Sequence, residues 1–380
     1  MPEPARLVVR APGRVNLIGD HTDYNDGLVL PMAIDLETRI ELTPSDDATV
    51  DLTLESTGER AVIDLDARAT PATGRHGDWT DYVAATAWAL RQAGARPRGF
   101  IGVLGGDLPI GQGLSSSAAL ELACAWALSG GEPALPDRLA LAQACQRAEN
   151  EFVGVPCGIL DQFAVAFGAP AVALLLDCRN LDHRVVALPP DAAFLIAESG
   201  VTRELRGSGY AARRHECETA AAVLAQVDPS VRSLRDATPA LLDSARDALG
   251  ATRYRRARHV LTENDRVRAT ARALEDGDLA AAGAAFVAGH ASLRDDFEAS
   301  TPDVDRLVEV ASSTPGVHGA RLTGGGFGGA VLVLADRAAV GDVAAGILSH
   351  YRTPSGEPAM VREVRASAGA GLVTASGAAT

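Results

Sequence analysis

Residues 108–119 read Leu-Pro-Ile-Gly-Gln-Gly-Leu-Ser-Ser-Ser-Ala-Ala, two spaced glycines and three serines leading straight into an apolar-periodic stretch. Such a segment has few ways to fold. The glycines allow a tight loop whose backbone N–H groups converge, and the run that follows opens a helix whose N-terminal dipole favours an anion. The serines are expected to cap that helix and satisfy its orphan N–H groups. A flexible turn with an ordinary serine cap would explain a generic Gly/Ser stretch. The coincidence of Pro109, Gly111, Gly113 and three serines favours a phosphate cradle instead. The loop has no Gly-Lys-Ser/Thr step and no G-x-G-x-x-G spacing, so it is neither of the two common nucleotide loops.

Composition narrows the chemistry further. All 35 basic residues are arginine, because the chain contains no lysine. Schiff-base enzymes, protein kinases and lysine-dependent P-loop kinases are therefore excluded. A net charge of -14 argues against nucleic acid as a partner, since phosphate-backbone binding needs a basic surface. With 47% hydrophobic and 22% charged residues the chain is an ordinary globular one. Its 380 residues exceed the ~250–300 at which one core stops growing, so two domains are expected. No apolar run reaches the ~18 residues that a membrane span needs. The first ten residues lack the apolar region of a secretory signal. The five cysteines, at 124, 145, 157, 178 and 217, form no CxxC pair and fit reduced, mostly buried thiols. A cytoplasmic location is the resulting expectation.

Strand-like patches lie at 6–10, 28–34, 38–43, 49–54 and 99–104, separated by Gly, Pro and Asp. Helical periodicity follows at 80–93 and 115–128, then apolar strands near 171–177 and 193–197. Residues 209–290 are helical and Ala/Arg-rich, and Thr262-Glu-Asn-Asp265 resembles a capping box. Strand candidates near 316–322 and 330–335 flank a glycine cluster. This order predicts an α+β chain in two parts, 1–190 and 191–380. The tail from Ala366 is expected to form a short strand and then fray.

Three further segments concentrate polar chemistry. Gly13-Arg-Val-Asn-Leu-Ile-Gly-Asp-His-Thr-Asp-Tyr24 places Arg14, Asp20, His21 and Asp23 together, donors and acceptors suited to a polyhydroxylated ligand. A polar loop between strands is its bland alternative. No second histidine stands at metal-ligand spacing from His21. Pro156-Cys-Gly-Ile-Leu-Asp-Gln-Phe163 puts Asp161 in an apolar setting, where an unpaired carboxylate is costly and calls for a cation or a function. Thr323-Gly-Gly-Gly-Phe-Gly-Gly-Ala330 has five glycines, which points to close backbone approach to a ligand or to another segment.

In this order and spacing, the segments resemble the three signature motifs of the galactokinase, homoserine kinase, mevalonate kinase and phosphomevalonate kinase (GHMP) superfamily. Within it, Gly13 to Tyr24, Pro156 to Phe163, Tyr210-Ala-Ala-Arg-Arg and His290-Ala-Ser-Leu-Arg-Asp-Asp-Phe resemble the galactokinase branch. The resemblance implies a two-domain GHMP kinase fold, with a ribosomal-protein-S5-like N-terminal α/β domain, a ferredoxin-like C-terminal α+β domain and the active site between them. It implies ATP-dependent phosphorylation of a sugar C1 hydroxyl, with Asp161 beside that hydroxyl as base or electrostatic stabiliser and Arg14 as the cation. Mg²⁺ is assigned to Ser117 and Glu149. The ATP phosphates are assigned to Gly111, Gly113, Leu114, Ser115, Ser116, Ser117 and Ala118, with Gly324, Gly325 and Gly326 closing over them. Trp79 is assigned to the adenine side. The sugar is assigned to Asp20, His21, Asp23, Gly158 and Tyr210. Sugar and ATP are the implied partners, with no obligate protein partner.

Two positions depart from that branch. Asp20 stands where galactokinases commonly carry Glu, at a position associated with the exocyclic C6 hydroxyl, and Glu204 replaces a histidine that often precedes the Tyr210 segment. Such changes bear on which sugar is preferred. A pentose such as L-arabinose or N-acetylgalactosamine is the alternative substrate. A non-catalytic sugar and ATP sensor is the alternative of a different class.

Overall fold

A computed structural model of the chain describes residues 6–201 and 208–373. The chain opens in β1 (Leu7–Asn16), passes through β2 (Leu28–Val29) and continues in β3 (Pro31–Pro44), β4 (Thr49–Leu54), β5 (Arg60–Asp64) and, after two helices, β6 (Phe100–Gly106). Period-two alternation shapes these strands: in β3, Leu36, Ile40 and Leu42 point inward while Asp35, Arg39 and Glu41 point to water. The sheet runs β1-β3-β6-β4-β5 and is antiparallel except for β4 and β6. A parallel pair requires a crossover. Here α1 (Pro71–Gly74) and α2 (Thr80–Gln92) lie within it.

The helices α3 (Ser116–Ala127), α4 (Arg138–Arg147) and α5 (Leu160–Phe167) pack together, with α3 and α5 against β1 and β3. β7 (Val172–Asp177) and β8 (His183–Ala187) join β2 in a small sheet, and β9 (Ala192–Glu198) follows. The remainder consists of α6 (Ser208–Val227), α7 (Pro239–Ser244), α8 (Arg246–Glu275), α9 (Leu279–Asp295), α10 (Pro302–Ser312), β10 (Val317–Thr323), β11 (Ala330–Asp336), α11 (Val340–His350), β12 (Val361–Val364) and β13 (Gly371–Leu372). β13 returns to pair with β1 at the edge of the first sheet, so the tail forms the short strand expected of it.

A second sheet, β10-β11-β9-β12, is buried on both faces. Phe194 and Ile196 of β9 and Leu332 and Leu334 of β11 enter the apolar cluster of the first sheet and its helices. The alternate residues Leu195, Ala197, Val331 and Val333 enter a second cluster with α6, α8, α10 and α11. Double burial explains why these strands read as continuous apolar runs rather than as alternation. Strands β5 and β8 escape the sequence reading because they are short and mostly exposed, and their apolar residues run consecutively, with Val62 and Val185 facing water, instead of alternating. The Thr262 capping box is also corrected. Thr262 lies in the middle of α8 and bonds back to the Arg258 carbonyl at 2.8 Å, and the break in that helix is at Gly250, where φ is +68°.

Candidate active site

The sequence segments singled out above converge on one cleft of about 870 Å³. β1 delivers Arg14 to it. The pairing of β1 with β3 is irregular between Pro12 and Arg14. Gly13 there passes so near Leu108 and Leu114 that a Cβ would lie 2.4 Å from a Leu108 methyl and 2.9 Å from the Leu114 carbonyl oxygen. Only glycine lets the strand approach the glycine–serine loop this closely. Arg14 then donates from its backbone N–H to the Leu114 carbonyl at 3.1 Å, and from Nη1 to the Gly113 carbonyl at 2.6 Å.

The same guanidinium meets Asp161. Arg14 Nε donates to Asp161 Oδ1 at 2.8 Å, and Nη2 lies 2.6 Å from that oxygen. The other carboxylate oxygen, Oδ2, accepts from Ser115 Oγ at 2.6 Å. The cation that the apolar setting of Asp161 required is thus Arg14, 147 residues away. Asp161 keeps 27% of its side chain exposed, so it is paired yet reachable from the cleft.

The serines do not cap α3 as expected. Ser115 adopts a left-handed conformation, φ 60°, and no side chain caps the helix. Its hydroxyl turns to Asp161 instead, and the first turn of α3 carries no acidic residue of its own. Gly111, Gly113, Ser115, Ser116 and Ser117 line the cleft. Leu114 and Ala118 are buried behind it.

Glu149 enters from a π-helical turn, Ala148–Val153, that continues α4; such wide turns bring one side chain out of the regular helical track. Burial, reinforced by Asp161, pushes its carboxyl up to about 7, against hydrogen bonds from Cys157, Ser117 and Gln162. Gln162 Nε2 donates at once to Glu149 at 2.7 Å and to the fully buried Glu121 at 3.0 Å.

The loop between β1 and β2 supplies Asp20, His21 and Asp23, all in the cleft lining with Tyr210 at the start of α6. His21 has φ 64°, a strained backbone for a non-glycine residue, and its Nδ1 shares a 2.9 Å hydrogen bond with the Tyr24 hydroxyl. Phe297 and Tyr210 pack on its ring at 4.5 and 5.5 Å. A Cβ on Gly158 would lie 2.0 Å from Asp23 Oδ2, so glycine admits that carboxylate. Burial raises Asp20 and Asp23 to about 6 each, with Arg321 opposing the rise at Asp20 and Asp161 adding to it at Asp23.

Gly324 and Gly325 also line the cleft. Gly326 lies against the Ala299 backbone, outside that lining. Trp79 is outside it as well: it precedes α2, and its indole N–H donates to Glu59 at 3.2 Å. The departure at Glu204 falls outside the described residues. Sequence reasoning missed Asn16, Val155, Cys157 and Leu160, all in the lining. Asn16, Cys157 and Leu160 were marked only by their place inside motifs already noted, and Val155 only by adjoining one.

The arrangement joins the glycine–serine loop and the start of α3 to a carboxylate-rich pocket through the paired Asp161. Family descriptions of the N- and C-terminal GHMP kinase domains match residues 81–169 and 270–353, and a mevalonate kinase crystal structure, 19% identical, superposes with a TM-score of 0.67 over 95% of this chain and 99% of the other. The fold is that of the two-domain GHMP kinases. The galactokinase galactose-binding signature matches residues 2–44. A galactokinase of Roseiflexus sp. (strain RS-1) is 42% identical, covering 97% of this chain and 93% of its own, and the human galactokinase is 43% identical, covering 91% and 88%. A Lactococcus lactis galactokinase solved with galactose is 34% identical, with a TM-score of 0.89 over 96% of this chain and 94% of the other. The chain belongs to the galactokinase family.

Proposed function

We propose that the protein transfers the γ-phosphoryl group of ATP to the C1 hydroxyl of α-D-galactose, giving galactose 1-phosphate and ADP. The observation that carries this reading is the contact of Arg14 and Ser115 with opposite oxygens of Asp161, at the junction of the glycine–serine loop and the carboxylate-rich pocket. Similarity to galactokinases over nearly the whole chain supports galactose as the sugar, and favours neither L-arabinose, N-acetylgalactosamine nor a non-catalytic sensor.

In this reading Asp161 accepts the hydrogen of the C1 hydroxyl and orients its oxygen for in-line attack. Arg14, fixed by Asp161 and the Gly113 carbonyl, places positive charge where the transferring group develops negative charge. The first turn of α3 and the loop before it bind the phosphates, and Asp20, His21, Asp23, Gly158 and Tyr210 hold the sugar. This apparatus uses no lysine.

The residues present also fit Mg²⁺. Four carboxylates, Asp20, Asp23, Glu149 and Asp161, line the cleft against one guanidinium, and ATP adds further negative charge. Among the described residues no group of three potential ligands forms a closed metal site. That suits an ion held mostly by phosphate oxygens and water. Glu149 and Ser117 are the protein groups that would hold it, and bound there it would neutralise phosphate charge during transfer.

An assay coupled to ADP release, run across a panel of monosaccharides, tests the function. Galactose should give kcat/KM at least about tenfold above L-arabinose and N-acetylgalactosamine, since a pocket built around particular hydroxyls discriminates strongly. Preference for another sugar, or ADP release that needs no sugar, would overturn the proposal.

A further inference from the structure

Asn16 closes β1 two residues after Arg14, so the two side chains leave the same face of the strand. Both line the cleft, Arg14 on the Asp161 side and Asn16 beside Asp20. The side chain of Val15 between them points into the core. The Asn16 backbone is clamped. Its N–H donates to Thr323 Oγ1 at 3.2 Å, and its carbonyl accepts from the same hydroxyl at 2.9 Å.

The Asn16 side chain is different. The residue is 1% exposed, yet neither its Nδ2 nor its Oδ1 reaches hydrogen-bonding geometry with a protein partner among the described residues. The amide lies close enough to Asp20 to oppose the rise of that carboxyl without completing a bond to it. A buried primary amide left in this state is unfavourable, and such groups are uncommon unless a ligand or water satisfies them.

The cleft around Asn16 is rich in carboxylates, and Arg14 beside it is already engaged by Asp161 and the Gly113 carbonyl. Asp161, Asp20 and Asp23 are acceptors when ionised, so they serve sugar hydroxyls that donate. A sugar also carries oxygens that can only accept, the ring oxygen above all, and a carboxylate cannot serve those. Among the uncharged side chains of the lining, an amide N–H is suited to that task, and Asn16 stands between Arg14 and Asp20, where the sugar lies in the proposed function.

We propose that Asn16 is a substrate-contacting residue whose amide Nδ2 donates a hydrogen bond to an acceptor oxygen of the bound sugar, matching a need that the surrounding carboxylates cannot meet. The inference rests on the sugar kinase reading of the cleft. It adds a specificity-determining residue to that cleft, selecting sugars that present an acceptor oxygen at this point.

The test uses the full chain and the variants Asn16→Ala and Asn16→Leu, the second of near-equal volume. Galactose and ATP affinities are measured separately by calorimetry, together with thermal stability. Because the amide only approaches Asp20 without completing a hydrogen bond, its removal should leave the melting temperature little changed, while galactose binding weakens about tenfold and ATP binding changes less than about twofold. Galactose affinity within twofold of the parent chain in both variants overturns the proposal. So does a parallel loss of galactose affinity, ATP affinity and melting temperature, which marks a structural role. If the parent chain itself binds and turns over a different sugar, the galactose assignment fails, and the same comparison made with that sugar still decides the role of Asn16.

Discussion

Arg321 Nη2 lies 2.6 Å from Asp20 Oδ2, with both side chains out of solvent, and ties β10 to the loop that follows β1 across 301 residues of sequence. The same nitrogen is 3.0 Å from Glu263 Oε1 on α8, and that oxygen also accepts from the Gly19 N–H at 3.0 Å. Asp20 Oδ1 accepts from the Gly324 N–H at 3.0 Å. One buried network therefore holds the loop after β1, the long helix and the glycine loop. Asp20 is the residue all of them share with the cleft.

Arg321→Met should strand two buried carboxylates and cost about 3–5 kcal/mol of stability. Urea unfolding followed by circular dichroism measures it. The double variant with Asp20→Asn should lose less than the sum of the two single losses, because both remove the same contact.

Asp161→Asn keeps the shape of the side chain and removes its charge. Turnover should fall about 10³-fold, within the range for a lost proton acceptor, while the Kd for a non-hydrolysable ATP analogue stays within threefold. Near-parental turnover would take Asp161 out of the mechanism.

Asp20→Glu pushes the carboxylate one methylene further past Arg321 and the Gly324 N–H. The ratio of kcat/KM between galactose and analogues altered at C6 should shift by about threefold or more, with a stability loss of about 1–3 kcal/mol from the added volume. An unchanged ratio would mean that Asp20 does not read the exocyclic hydroxyl.

Stability should respond to pH through two opposed sets of carboxyls. Burial alone would raise Glu263, but Arg321 and Arg266 hold it well below the usual range, so its contribution is present above the unfolded pKa and is lost only as strong acid protonates the native state. Asp20 and Asp23, raised to about 6, and Glu149, raised to about 7, act in the other direction. Between about pH 4 and 7 the native state binds more protons there than the unfolded chain does, so their contribution to stability declines as pH rises. In Asp23→Asn that decline should be shallower, by less than about 3 kcal/mol because Asp23 is only half-buried and water softens the penalty. Melting temperatures of the ligand-free protein at pH 4.5 and 7 measure the difference.

Much of the architecture was written locally. Alternation in β3, the apolar runs of β9 and β11 and the glycine-to-helix step at 108–119 each carry a short-range signal of period or backbone freedom. Misreadings came where a local cue had two meanings. Thr262 resembles a helix start, but long-range packing keeps α8 continuous through it, and Ser115 resembles a cap, but a carboxylate from α5 outcompetes the helix for its hydroxyl. Edge strands such as β8 bury too little to leave a pattern.

By itself, then, the sequence determined the kinds of residue available for chemistry: arginine without lysine, a glycine–serine loop opening a helix, a polar loop of donors and acceptors, and a carboxylate in need of a partner. Those properties follow from composition and from neighbours a few residues apart. Only the tertiary structure decided which groups meet: Arg14 with Asp161, Asp20 with Arg321, and the Asn16 amide beside Asp20 without hydrogen-bonding geometry to any described residue. The first two pairs lie 147 and 301 residues apart, and no periodic pattern spans such separations. They form because burying a charge or an amide is costly, and the fold must bring each one a partner or leave it for a ligand.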